Sequence, residues 1–201
     1  MIHQLETGST EYSQDGDKLL DDYIDTAANI FEIAAFSMKD NLTGVSNRYA
    51  FDNRLVLEWN RAVRDKSTLS LLLISIDALK DFKGKHGQHK VDLLMQAVAK
   101  TLEQSIKRST DFIARLDDEF AIILPITDSD GARIVAERIH NEIEKMEVQC
   151  PDGGQCIKVT VCVGVCVHMP AYEEQINDYI SKANDTLKQA IANGPNKIAF
   201  A

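Results

Sequence analysis

The sequence predicts an α+β domain, a central antiparallel sheet flanked by helices, and three observations predict it. Apolar residues recur at three- to four-residue spacing in several separate stretches, as in helices that bury one face. Between them lie short β-rich runs, the clearest being Leu69-Ser70-Leu71-Leu72-Leu73-Ile74-Ser75-Ile76, which is nearly continuous in the manner of a buried strand. Two further runs, Asp111 to Leu116 and Glu119 to Leu124, leave almost no room between them and so predict a tight hairpin. With 201 residues, 44% hydrophobic and 26% charged, the chain suits one globular domain with an extra arm.

Taken in order, residues 1–17 are polar and poor in apolar side chains, and read as a flexible tail. From Lys18 to Met38, Leu19, Leu20, Tyr23, Ile24, Ala27, Ile30, Phe31 and Ala34 fall at helical spacing. That helix either folds back on its own domain or serves as a signalling and dimerisation helix; pattern alone leaves both open. The domain proper spans 39–201. Phe51, Leu55, Trp59, Ala62 and Val63 mark a helix before the Leu69 strand, and Val91, Leu94, Met95, Val98, Leu102 and Ile106 mark one after it. Ala132, Val135, Ala136, Ile139 and Ile143 form the helix after the hairpin. Cys156 to Val167 reads as a strand entered through a Pro151-Asp152-Gly153-Gly154 turn, and a last helix runs to about Asn193, closed by Gly194-Pro195. Strand, helix, strand, strand, helix, strand is the ferredoxin-like order, with the helices expected on one face of the sheet. Many functions share it, so the order names none.

Composition narrows the function. Twenty-two Lys and Arg against 31 Asp and Glu give a formal charge of −9, which repels a phosphate backbone, so no nucleic-acid partner is expected. The longest apolar run is far below the roughly 20 residues of a membrane helix, and no secretory leader pattern opens the chain. A cytoplasmic protein without a membrane partner is the expectation. Cys150, Cys156, Cys162 and Cys166 form no CxxC pair, so reduced structural thiols are expected. Cys162, Cys166 and His168 share one side of a strand by alternation, where a core role is favoured over metal.

Two motifs carry something more specific. Asp40-Asn41-Leu42-Thr43-Gly44-Val45-Ser46-Asn47-Arg48 resembles the DxLTGLxNR entry signature of the GGDEF family, the diguanylate cyclase domain. Ala114-Arg115-Leu116-Asp117-Asp118-Glu119-Phe120 resembles its ARLGGDEF hairpin, one residue shorter and without either glycine. Val159-Thr160-Val161-Cys162-Val163-Gly164-Val165 and Ala136-Glu137-Arg138-Ile139 are similar to its VTVSIGV and AERI segments. The resemblance spans about 39 to 200 and implies the nucleotidyl-cyclase palm fold, in a degenerate member whose signature reads LDDEF. Such domains join two GTP molecules into cyclic di-GMP, one per subunit of a dimer.

That chemistry needs carboxylates for divalent metal, close backbone approach at the hairpin tip and cations for the triphosphate. By the resemblance, the first metal-binding Asp falls on Ser75, and a hydroxyl is a poor Mg²⁺ ligand beside a carboxylate. The second metal carboxylate matches Asp118, followed by Glu119, and the glycine pair becomes a deletion plus Asp117. The guanine-contacting Asn falls on Lys83, although its Asp partner matches Asp92. Two phosphate-binding cations fall on Ile191 and Pro195, leaving Lys80; Asp77 stands near by on the strand. Together these losses remove most of the electrostatic stabilisation that phosphoryl transfer requires. A catalytically inactive domain, with no cofactor and no Mg²⁺, is expected. Asp117, Asp118 and Glu119 could trap a cation, but read more simply as solvated carboxylates.

Upstream, Arg108-Ser109-Thr110-Asp111 matches the family's RxxD inhibitory site for cyclic di-GMP, and the supporting arginine corresponds to Arg138. Arginine forks onto phosphate or a guanine edge, and Asp111 can accept from guanine N–H groups. The same four residues equally suit a helix end and a surface charge. Lys83, Lys85, His86, His89 and Lys90 read as a basic loop, solvated or holding an anion or a protein. The expected function is a cyclic di-GMP receptor. The alternative is a nucleotide-independent interaction module that forms a homodimer or docks a protein through the 18–38 helix, and an unorthodox cyclase ranks third. With only a tail and one helix ahead of the domain, no sensor domain is expected within this stretch.

Overall fold

The computed structural model describes residues 38–148 and 157–201. The chain divides into two units, Met1–Met38 and Lys39–Ala201. The tail, the 18–38 helix, Cys150, Cys156 and the Pro151–Gly154 turn lie outside the described residues.

The second unit opens on a turn built from its own side chains. Asp40 accepts from the Thr43 amide at 2.9 Å, and Gly44 donates to the Asp40 carbonyl at 2.8 Å with φ +77°, a conformation that favours glycine. Asn47 then caps helix α1, Arg48–Asp65, by accepting from the Ala50 amide. Strand β1, Leu69–Ile76, follows, then α2, Leu79–His86, and α3, Gln88–Ser105. Strands β2, Phe112–Leu116, and β3, Glu119–Pro125, form the hairpin, pairing Leu116 with Glu119. Helix α4, Ser129–Glu144, is capped by Asp128, whose side chain accepts from the Gly131 amide. The short pair β4, Glu147–Val148, and β5, Ile157–Lys158, precedes β6, Val161–His168, helix α5, Ile176–Ala192, and β7, Ile198–Phe200.

The main sheet runs β2-β3-β1-β6-β7, antiparallel except for the parallel β6–β7 pair. The first four strands reproduce the predicted ferredoxin-like order, and three readings change. First, the helices cover both faces. Leu72, Ile74, Ile122, Leu124, Val163 and Val165 pack with α3 and α4, while Leu71, Leu73, Ile123, Cys162 and Cys166 pack with α1 and α5. Strands buried on both faces lose their alternation, which is why β1 is continuously apolar. Second, the basic loop is helical: Lys83, Lys85 and His86 lie on α2, and His89 and Lys90 on α3, with Gly87 between them. Helix α2 is charged and has little core contact, so it leaves no apolar stripe to read, and the basic residues of α3 lie in its first turn, ahead of its stripe. Third, the 156–167 strand is two strands, β5 and β6, and β7, three residues long, closes the edge.

Cys162 and Cys166 are free and buried, as the period-two reading expects, and His168 on the same side stacks on Trp59 at 6.0 Å. Gly164 on β6 stands under α5, where a Cβ would come within 2.4 Å of the Leu187 nitrogen.

Candidate functional site

The C-terminal end of β1, the hairpin tip and α5 enclose a cleft of about 650 Å³. Register places Ser75 opposite Glu119 on one side and Cys162 on the other. Ser75, Asp77, Lys80, Asp117, Asp118 and Glu119 all line this cleft. Lys83 and Asp92 do not: Lys83 is exposed on α2, and Asp92 accepts from Gln88 Nε2 at 2.7 Å within α3.

Asp77 is tied into the fold by three hydrogen bonds. Its carboxylate accepts from Thr160 Oγ1 at 2.7 Å, from Cys162 Sγ at 3.1 Å and from the Asn196 amide at 2.8 Å. Burial pushes the Cys162 thiol up, and its bond to Asp77 adds to this. Burial also pushes the Glu119 carboxyl above its ordinary range, with the Asp118 charge adding and Arg48 opposing. The hairpin tip turns through Asp117 at φ +59°, with Arg115 Nε donating to the Asp117 carbonyl at 2.7 Å. Arg115 Nη1 in turn reaches both carboxylate oxygens of Asp40.

Sequence reasoning missed the apolar part of the cleft. Phe51, Ile180 and Ile191 line it, Ile191 being 47% exposed. The resemblance placed Ile191 at a lost cation but gave no sign of the contacts around it. Arg48 also lines the cleft, and its pull on Glu119 depends on folding α1 against the hairpin.

A second constellation sits where α3 gives way to β2. Arg108 Nε donates to Asp111 Oδ1 at 3.0 Å. Arg138 Nη1 donates to the Ser105 carbonyl at 2.8 Å, so it binds the last residue of α3, three positions before Arg108. Arg108 and Asp111 thus pair just past the end of α3, and Arg138 reaches the last residue of that helix from α4. Among the described residues, no group of three or more His, Cys, Asp or Glu side chains converges as a metal ligand set, and no helix is long and apolar enough to cross a membrane.

The profile of the family described as "Diguanylate cyclase, GGDEF domain" matches residues 37–197. The chain belongs to the GGDEF family. It is 30% identical over 164 residues to the uncharacterized protein YhcK of Bacillus subtilis, covering 81% of this chain and 45% of that protein. It is 30% identical to diguanylate cyclase A of Treponema denticola, over 71% of this chain and 38% of the relative. The chain thus spans less than half the length of either. Among solved structures, the diguanylate cyclase SiaD of Pseudomonas aeruginosa, in complex with its activator SiaC, superposes with a TM-score of 0.78 at 25% identity, over 93% of this chain and 71% of that one. The coiled coil and GGDEF domain of DgcB from Caulobacter crescentus, in complex with c-di-GMP, gives 0.83 at 22% over 92% and 98%, a likeness of fold. The GGDEF palm and its place among diguanylate cyclase relatives are therefore established for this chain.

Proposed function

We propose that this GGDEF domain carries out no cyclase turnover and acts as a receptor for cyclic di-GMP through Arg108, Asp111 and Arg138. The observation that carries the first half is Ser75 at the end of β1, opposite Glu119. A divalent cation held at the triphosphate needs hard, charged oxygen ligands on both β1 and the hairpin. Here β1 offers a hydroxyl, and Asp77 already accepts three hydrogen bonds. The donor set does not fit Mg²⁺. Around it stand the carboxylates of Asp117 and Asp118, which repel phosphate, with Lys80 and Arg48 as the lining cations.

The second half rests on the RxxD pair and Arg138 meeting at the end of α3. Two guanidinium groups and a carboxylate at this helix end are the groups that a ligand with two phosphates and guanine edges calls for. DgcB, similar in fold, has been solved with this ligand.

The test is calorimetric titration with cyclic di-GMP beside Arg108→Ala, with thermal melts to show that the variant is folded. Binding in the wild type that the variant loses is the expected result. The absence of heat in both, with a flat thermal shift, overturns the receptor reading and leaves the interaction module. Incubation with GTP and Mg²⁺ or Mn²⁺ is expected to yield no cyclic di-GMP, and product that disappears in Asp118→Ala would overturn the inactive reading.

A further inference from the structure

Asp111 is out of reach in this structure. Its side chain is 3% exposed, whereas that of Arg108 is 46% exposed. The guanidinium lies over the carboxylate, with Nη2 2.8 Å from Asp111 Oδ1 as well as the Nε bond. A guanine edge can therefore meet Asp111 only if Arg108 moves.

Arg108 is also held from the other side. Its Nη2 donates to Thr127 Oγ1 and approaches the Pro125 carbonyl at 3.4 Å. Thr127 is 5% exposed; its hydroxyl donates to the Pro125 carbonyl at 3.0 Å, and its own carbonyl accepts from Ser70 Oγ at 2.7 Å. Between these anchors Ile126 takes φ +49° and is 73% exposed. A β-branched residue in the left-handed region is strained and persists only where its surroundings impose it. Ile126 stands between Pro125 and Thr127, and both of these neighbours accept hydrogen bonds from Arg108.

We propose that the RxxD site works by exchange, with Thr127 as its positioning residue. In the closed form Arg108 screens Asp111 and clasps the β3–α4 turn. A ligand that draws the guanidinium onto its phosphate uncovers Asp111, breaks the Thr127 bond and lets Ile126 relax. Ligand occupancy at the α3–β2 junction is thereby transmitted to the start of α4, the helix that carries Arg138. This inference rests on cyclic di-GMP being the ligand.

The exchange gives two variants opposite signs. Thr127→Val keeps the shape but removes the acceptor that competes for Arg108, and should tighten cyclic di-GMP binding by about 3- to 10-fold, the worth of one hydrogen bond. Thr127→Ser retains that acceptor and should bind as the wild type does. Ile126→Gly, at an exposed position, removes the strain that opening would relieve and should weaken binding by about 2- to 5-fold. Hydrogen exchange of the Ile126 and Thr127 amides should rise when ligand is added to the wild type. If the wild type binds and Arg108→Ala does not, yet Thr127→Val and Ile126→Gly keep the wild-type affinity, the exchange is wrong and the receptor reading stands. If the wild type does not bind at all, both fall.

Discussion

Arg115 Nη1 sits 3.1 and 3.2 Å from the two carboxylate oxygens of Asp40, joining the entry turn to the hairpin strand across 75 positions of sequence. Both side chains are about four-fifths covered. The same guanidinium holds the Asp117 carbonyl, so the entry motif fixes the hairpin tip through one arginine. Burial pushes the Asp40 carboxyl up, but the hydrogen bonds from Thr43 and then Arg115 outweigh it and leave it below its usual 3.8. A depressed carboxyl contributes stability that is full above its unfolded value and lost as pH falls through the folded one. Asp40→Asn should therefore cost about 1–2 kcal/mol in urea unfolding at pH 7. The gap to the wild type should close below about pH 3.8. An equal loss at every pH would show that the charge is not what matters.

Glu119 titrates the other way. Its carboxyl, raised by burial and then by Asp118, favours folding when neutral. That contribution is full below the ordinary 4.5 and disappears as pH rises through the higher folded value. Glu119→Gln, which keeps the group neutral, should stabilise the domain at pH 7 and make no difference at pH 4. Thermal melts of both proteins at the two pH values decide it.

Gly164 meets α5 with no space to spare. A methyl group would lie 2.4 Å from the Leu187 nitrogen and 2.6 Å from its Cα, both backbone atoms that cannot swing aside. Gly164→Ala should cost about 3 kcal/mol or more, at the upper end of overpacking effects. Gly84→Ala, where the new Cβ meets nothing within 4 Å on helix α2, is the control and should be neutral or mildly stabilising.

Much of this was legible because the residues involved act through the chain. Leu69–Ile76 emerges as a strand with the predicted bounds, since a strand buried on both faces leaves a nearly continuous apolar run. The entry turn and its N-cap are local chemistry of Asp40, Gly44 and Asn47, and so stand in the sequence. What could not be read acts across space. Asp77 suggested a site residue, but its carboxylate is bound by Thr160, Cys162 and Asn196, partners 83 to 119 positions away. Arg108 and Asp111 were singled out as a binding pair, yet that one screens the other depends on Thr127 arriving from the far end of β3. Helix α2 escaped notice because Leu79 is its one buried residue, too little for a stripe.

Asp117 lies in the left-handed region at φ +59° and is exposed at the hairpin tip. Glycine enters that region without the Cβ clash, and the substitution also removes one of three adjacent acidic charges. Asp117→Gly should raise stability by about 0.5–1 kcal/mol in urea unfolding. It should bring no GTP turnover, because Ser75 still offers no carboxylate. Cyclic di-GMP produced by Asp117→Gly alone would show that the hairpin tip, not the metal position, had silenced the site.

Asp77 tests whether the cleft's carboxylates serve chemistry or structure. A carboxylate with three donors 2.7 to 3.1 Å away ties the end of β1 to the start of β6 and to the turn before β7. Asp77→Ala leaves the Asn196 backbone N–H without its partner, in a residue whose side-chain Oδ1 already lacks one. The expected loss is about 2–3 kcal/mol, that of hydrogen bonds to a charged group. Asp77→Asn keeps the shape and one acceptor, but its amide nitrogen meets a donor, so it should fall between wild type and Ala. Neither change should alter cyclic di-GMP affinity, because Arg108, Asp111 and Arg138 make none of their bonds to this carboxylate. Denaturation midpoints ordered wild type, Asn, Ala at constant ligand affinity would place Asp77 in the framework. Unchanged stability with altered binding of GTP and a divalent cation would return it to the chemistry of the cleft.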